Sequence, residues 1–313
     1  MIIGIDTSCY TTSVAVIGDD GILLNENRLM LQVKPGERGL RQSEAVFQHI
    51  QNLPRLMEES KVPMPIKAVT ASIKPRPVDG SYLPVFKVGA SLGESLAYLV
   101  GVPFIETSHQ EGHLRASLYQ RPLPKGNFLA WHLSGGTTEL LLAKATPEGF
   151  NIEKVGGSSD LQVGQFVDRI GVALGARFPA GVFLEGLAKY SDSKESLPVV
   201  TNGLTISFSG PESAGRRLVD SGISQQELAR RVFNCISQAL IKVTLEAVKS
   251  YQVGLVLFSG GVAANELIRA ALLQEKTLQD LELVFASKEL SGDNAVGVGL
   301  IGWDALRGKR HEV

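Results

Sequence analysis

The chain opens with a short apolar run over residues 1–6, a polar turn over 7–12 and a second apolar run over 13–17. That is the pattern of strand, tight turn, strand. Asp19-Asp20-Gly21 predicts a further turn, and Ile22-Leu23-Leu24 starts a third strand. From Arg41 the apolar spacing becomes helical. Ser43 is placed to cap a helix whose inner stripe carries Val46, Ile50 and Leu53, with a kink at Pro54. Residues 68–72 read as a strand and 74–83, rich in Pro and Gly, as a loop over a site. Residues 88–99 form a helix with Gly89, Ala90, Gly93 and Ala97 at close-packing positions, and 102–105 a strand. A helix over 108–119 follows.

Residues 121–127, polar and Pro-rich, suggest a linker or a lobe edge. Then comes a strand at 128–133, the turn Ser134-Gly135-Gly136-Thr137 and a strand at 139–143. Residues 9–16 and 135–142 share one pattern, a turn followed by Thr-Thr and an apolar strand, which points to an internal duplication. Further on, 160–174 and 185–190 read as helices on either side of Phe178-Pro179-Ala180-Gly181. A long amphipathic helix over 227–251 turns Leu228, Val232, Cys235, Ile236 and Ile241 inward. Residues 254–258 are a buried strand that runs through Gly260-Gly261 into a helix at Asn265. A strand at 283–285 precedes Ser291-Gly292-Asp293-Asn294, which opens a last helix to residue 306, and residues 308–313 read as a frayed tail. The expected division is a first lobe at 1–107 and a second at 108–313, with the last helix packing back on the first lobe.

Composition narrows the function. At 313 residues the chain can bury a large core, and 44% hydrophobic with 20% charged residues is ordinary for a folded protein. A net charge of −1 supplies no global field toward nucleic acid or an anionic membrane, so an RNA partner needs a local basic patch or a helper subunit. Arg216-Arg217 and Arg230-Arg231 are the pairs that could touch phosphates, although a solvated helix face is the simpler reading. Two distant cysteines, Cys9 and Cys235, make no disulfide framework, and there is no signal peptide or membrane span, so a cytoplasmic protein is expected. Cys9 reads as a small packed residue, His132 as a packed strand histidine, and His49 and His311 as surface residues.

Two features carry chemistry. Three glycine or hydroxyl turns, at 7–12, 134–137 and 258–265, offer the outward N–H groups that attract phosphate. Spaced through a duplicated α/β chain, they predict the actin/Hsp70/sugar-kinase type of fold, which closes two lobes on a nucleotide. His109 and His113, four apart, share one helix face and can grip a metal. A zinc peptidase would carry a glutamate directly after the first histidine. Gln110 stands there instead, and Glu111 lies about 200° round the helix from His109.

The ordered motifs Gly-Ile-Asp-Thr-Ser-Cys, His-x-Glu-Gly-His, Ser-Gly-Gly-Thr-Thr, Phe-Pro-Ala-Gly, Ser-Phe-Ser-Gly, Gly-Gly-Val-Ala-Ala-Asn and Gly-Asp-Asn-Ala, from Ile3 to about Ile301, resemble the TsaD family of threonylcarbamoyltransferases. The resemblance implies an actin-like two-lobed ATPase fold and transfer from threonylcarbamoyl-AMP to N6 of adenosine 37 in tRNAs reading ANN codons. It implies one divalent metal ion, iron or zinc, on His109, His113 and Asp293. It places an adenine nucleotide, threonylcarbamoyl-AMP or ATP, against Leu133, Ser134, Gly135, Gly136, Thr137, Asp168, Gly181, Gly260, Gly261 and Asn265. TsaB-like and TsaE-like subunits are the implied partners. The chain departs from the family pattern at Tyr10-Thr11, where Asp-Glu is usual, and at Thr137-Thr138-Glu139, where His-Thr-Gln is usual. These departures keep open a non-catalytic metal- and nucleotide-binding paralogue, or a carbamoyl transferase with another acceptor.

Overall fold

A computed structural model describes residues 1–8, 10–33, 40–62 and 64–308. Cys9, His311 and the tail beyond residue 308 lie outside the described residues. The chain divides into two units. The first holds Met1–Lys125, Lys144–Asn151 and the stretch from Glu289 onward, and the second holds Gly126–Ala143 and Ile152–Lys288.

In the first unit, strands β1 (Ile2–Ser8), β2 (Thr11–Ile17) and β3 (Leu23–Met30) form an antiparallel meander. β4 (Ala68–Lys74) lies parallel to β1, and β5 (Phe104–Ser108) parallel to β4, giving the order β3-β2-β1-β4-β5. Both faces of this sheet are covered at its centre, so β1, β2 and β4 are buried at nearly every position rather than alternating, while the edge strand β3 is polar and partly exposed. Ile3, Ile5, Val14, Val69 and Ala71 pack with Leu53 and Leu56 of α1 (Gln42–Glu59) and Ala97 of α2 (Phe86–Val100). Ile2, Ala15, Ile17 and Ala68 pack with Ala116 of α3 (His109–Ser117) and with Val296 and Leu300 of α9 (Val296–Gly308).

The small residues of α2 are needed. A Cβ at Gly89 would lie 2.9 Å from Thr7 Oγ1, and one at Gly93 would lie 2.9 Å from the Phe104 ring. Two expectations fail on α1. The helix begins at Gln42, with Arg41 rather than Ser43 at the N-cap. Its inner stripe is Ala45, His49, Leu53 and Leu56, which leaves Ile50 exposed and takes His49 out of water. The polar tip of β2 explains this, because Thr12 Oγ1 lies 2.8 Å from His49 Nδ1 and gives a buried imidazole a partner.

The second unit repeats the scheme. β6 (Asn127–Leu133), β7 (Thr138–Thr146), β8 (Gly149–Ser158), β11 (Leu255–Ser259) and β12 (Glu282–Phe285) stand in the order β12-β11-β6-β7-β8, extended by β10 (Thr205–Ser207) and β9 (Val200–Asn202). Read outward from β6, this is the strand order of the first sheet, and β11 is parallel to β6 as β4 is to β1. Leu129, Trp131 and Leu133 of β6 pack with Phe166 of α4 (Val163–Ala173), Leu184 of α5 (Gly181–Ala188), the inner face of α7 (Gln225–Tyr251) and Ile268 of α8 (Glu266–Gln274). An unforeseen helix, α6 (Ser209–Asp220), joins this core. On α6 and α7, Arg216 pairs with the buried Glu212, and the half-buried Arg231 pairs with Glu227, so these two arginines are tied to their own helices.

The boundary expected at 107/108 is corrected by this division, which keeps α3 in the first unit. The reason is backbone contact with α9. A Cβ on Gly297 would fall 1.8 Å from the Gly112 carbonyl oxygen, and one on Gly112 would fall 3.0 Å from Val298.

Candidate metal centre and nucleotide-binding loops

Helix α3 starts where β5 ends, and the start is fixed by a capping box. Ser108 Oγ accepts from the Glu111 N–H, and Glu111 Oε2 accepts from the Ser108 N–H at 2.9 Å. Glu111 Oε2 also accepts from the hydroxyls of Ser108 and Thr107, and Glu111 Oε1 from the Phe150 N–H at 3.0 Å. Both carboxylate oxygens are therefore spent on local structure. The residue nearest to a peptidase's general base is a structural cap with no free oxygen for a water.

His109 and His113 project from one face of α3, with their rings 4.4 Å apart and their Nε2 atoms 3.0 Å apart. Asp293 Oδ1 lies 3.4 Å from each Nε2. Three ligands about 2.0–2.2 Å from a common centre stand about 3.0–3.5 Å from one another in octahedral or tetrahedral geometry, so these spacings fit one transition-metal ion. Exposure rises from 4% at His113 through 18% at His109 to 32% at Asp293, so the aspartate side is open to an incoming group. Burial opposes a charge on His109, yet Asp6 and Asp293 together raise its pKa well above the usual imidazole value. Burial likewise opposes the charge on Asp293, and bonds to the two histidines hold it well below the usual carboxylate range. The cluster is thus built for positive charge where the three ligand atoms meet.

Asp293 reaches the histidines because α9 is locked to α3 through Gly112 and Gly297 and because Asn294 shapes the loop before α9. Asn294 Nδ2 donates to the carbonyls of Leu290 and Gly292, and its Oδ1 accepts from the N–H groups of Val296 and Gly297. Behind His109, Nδ1 lies 3.1 Å from Asp6 Oδ2, and Asp6 Oδ1 accepts from the Ser72 hydroxyl. Sequence reasoning passed over Asp6. The available signal was a carboxylate closing an otherwise apolar strand, where an unpartnered charge is not tolerated.

The second unit gathers the residues expected at a nucleotide. The 134–137 turn is closed by Ser134 N–H donating to the Thr137 carbonyl at 2.8 Å. Gly260 has φ +91° and presses on the end of β6, since a Cβ there would lie 2.3 Å from the Leu133 carbonyl oxygen. The start of α4 presses on the same turn, a Cβ at Gly164 falling 2.5 Å from Gly135 Cα. By contrast Gly135, Gly136 and Gly261 face open space. Asp168, on α4, accepts from the Ala180 N–H at 2.7 Å and so ties α4 to the start of α5 at Gly181. Burial outweighs that bond and raises the Asp168 pKa. Asn265 caps α8, its Oδ1 accepting from the Ile268 N–H at 3.0 Å, which leaves the Nδ2 donor for any further contact. The Ser207–Gly210 motif folds round Asp160, which accepts from Ser207, Ser209 and the Phe208 N–H.

Two departures take structural form here. Glu139 is buried, and Lys154 Nζ lies 3.2 Å from it, so the added charge is compensated. Tyr10 is exposed and Thr11 buried at the β1–β2 turn.

The repeated strand order places the chain in the actin-like ATPase and sugar-kinase fold. Full-length HypF in its phosphate- and nucleotide-bound form superimposes with a TM-score of 0.60 at 14% identity, covering 100% of this chain and 46% of that one. A ROK family glucokinase from Streptomyces griseus, solved with glucose and AMPPNP, gives 0.53 at 11% identity, covering 95% and 97%. These likenesses establish the fold. The family follows from sequence: the model of TsaD, tRNA N6-adenosine threonylcarbamoyltransferase, matches residues 31–300, and the chain belongs to that family of transferases. A protein of that name from Streptococcus suis (strain 05ZYH33) is 30% identical over 96% of this chain and 90% of its own length. One from Prochlorococcus marinus (strain MIT 9215) is 27% identical over 99% and 92%. Among the described residues no helix is long and apolar enough to cross a membrane.

Proposed function

We propose that this protein transfers the threonylcarbamoyl group from threonylcarbamoyl-AMP to N6 of adenosine 37 in tRNAs reading ANN codons, with one iron or zinc ion on His109, His113 and Asp293. The observation that carries the reading is the 3.0–3.4 Å triangle of ligand atoms in a chain of this family. When bound, the metal supplies Lewis-acid polarisation of the carbamate carbonyl. The chain's own groups handle the adenylate. The open turns at Gly135-Gly136 and Gly261 present N–H groups to the phosphate and stabilise AMP as it leaves. Asp168 keeps one carboxylate oxygen for a ribose hydroxyl, and the Asn265 amide donates to the sugar or base. Leu133, Ser134, Thr137, Gly181 and Gly260 shape the pocket. The attacking group is the exocyclic amine of the tRNA, so no covalent enzyme intermediate is required.

With a net charge of −1, the chain relies on helper subunits for RNA affinity, and TsaB-like and TsaE-like proteins are the proposed partners in a cytoplasmic complex. The test is reconstitution with unmodified tRNA, threonylcarbamoyl-AMP and those partners, read by mass spectrometry of the nucleosides. Wild type is expected to form the modified adenosine. His113→Ala and Asp168→Ala are expected to form at least about 10²-fold less, in line with loss of a catalytic metal ligand or a positioning contact. Product at the wild-type rate from both variants would overturn the assignment.

A further inference from the structure

We propose that Asp6 and Ser72 are positioning residues that fix the tautomer and aim of His109, so that metal affinity depends on a buried carboxylate which touches neither metal nor substrate. The inference rests on the metal reading above and deepens it.

The placement begins with strand alternation. Ile2 of β1 packs on the α9 side of the sheet, while Ile3 and Ile5 pack on the α1 and α2 side. Successive side chains alternate faces, so Asp6 falls on the side of α3 and α9. β1 and β4 run in parallel register, with Ile5 opposite Ala71, which makes Ser72 the neighbour of Asp6. β4 in turn pairs with β5, Ser72 opposite Thr107, and His109 begins the helix directly after β5. Three adjacent strands therefore deliver a carboxylate, a hydroxyl and an imidazole to one point.

Asp6 is fully buried. Its two carboxylate oxygens lie 3.3 and 3.1 Å from His109 Nδ1, and Oδ1 also accepts from the Ser72 hydroxyl. A carboxylate here only accepts, so Nδ1 must carry the hydrogen. The Nε2 lone pair is then left facing His113 Nε2 and Asp293 Oδ1. A ligating histidine whose other nitrogen is held in this way keeps its orientation and gains basicity, and losing such a partner typically weakens metal affinity 10–100-fold. His109 needs this support more than His113 does, because it stands at the first turn of α3 and is the more exposed of the two.

The test is Co²⁺ and Zn²⁺ affinity by chelator competition on the intact protein, with thermal melting beside it. Asp6→Asn keeps the volume and the bond from Ser72 but presents a neutral amide to Nδ1. Its metal affinity is expected to fall 10–100-fold. In ¹⁵N-labelled metal-free protein held above the pKa of His109, the His109 resonances are expected to shift from the Nδ1–H toward the Nε2–H tautomer, with thermal melting reporting separately on any loosening of the fold. Ser72→Ala, which removes only the second support, is expected to lose less affinity and to keep the wild-type tautomer. It also serves as the test if Asp6→Asn fails to fold. Unchanged affinity in both variants, or a wild-type tautomer in Asp6→Asn, overturns the inference. If wild type itself binds neither metal, the metal reading fails first.

Discussion

His49 shows how a single residue can be misread from sequence and still make a sharp prediction. On α1 it looks like one more polar position, but it is buried against Thr12 of β2. Burial depresses its pKa from 6.5 to about 4, with the Asp6 charge acting in the opposite direction. The unfolded chain takes up a proton near pH 6.5, while the folded chain does so only near pH 4. Stability is therefore full above pH 6.5 and falls as the pH drops through that window, by about 1–3 kcal/mol. Urea denaturation between pH 7 and pH 4 should show this slope, and His49→Gln should flatten it. An unaltered slope in the variant would assign the acid dependence elsewhere. The histidine pair was legible at this scale because spacing on a helix is a local property, whereas Asp293 came only from the family resemblance, and Glu111 could be set aside by counting round the same helix. Asp6, Ser72 and Asn294 were not legible as parts of the site. Their roles exist only after β1, β4 and the loop before α9 converge.

At the scale of elements, the site depends on α3 and α9 lying backbone to backbone. Gly297 faces the Gly112 carbonyl at a distance that admits no side chain. Gly297→Ala should push α9 away, cost about 1–3 kcal/mol in thermal or urea unfolding, and weaken metal binding as Asp293 retreats. Gly186, on α5, faces open space, and Gly186→Ala should be neutral or stabilising by up to about 1 kcal/mol. Equal effects from the two substitutions would mean that helix propensity, not close approach, governs Gly297. Strands at the centre of each sheet were readable as apolar runs because both faces are buried. The short strands β9 and β10 and helix α6 were not. Their sequences are polar enough to resemble loops, and the contacts that order them, such as the serines gathered round Asp160, are tertiary.

For the whole molecule, the repeated strand order accounts for the two similar Thr-Thr hairpins seen in the sequence, Thr12 and Thr138 standing at the start of equivalent strands. The duplication was visible because each half needs the same turn chemistry. The division between the halves was not, since the chain leaves the first unit after Lys125 and returns to it twice. The central claim is that a metal held by His109, His113 and Asp293 is required for transfer to tRNA. The direct measurement is turnover in the reconstituted reaction after the protein has been stripped with a chelator and the chelator removed. Stripped protein should form less than about 1% of the product, and one equivalent of Fe²⁺ or Zn²⁺ per chain should restore it in wild type but not in His113→Ala. Full turnover by the stripped protein would contradict the account.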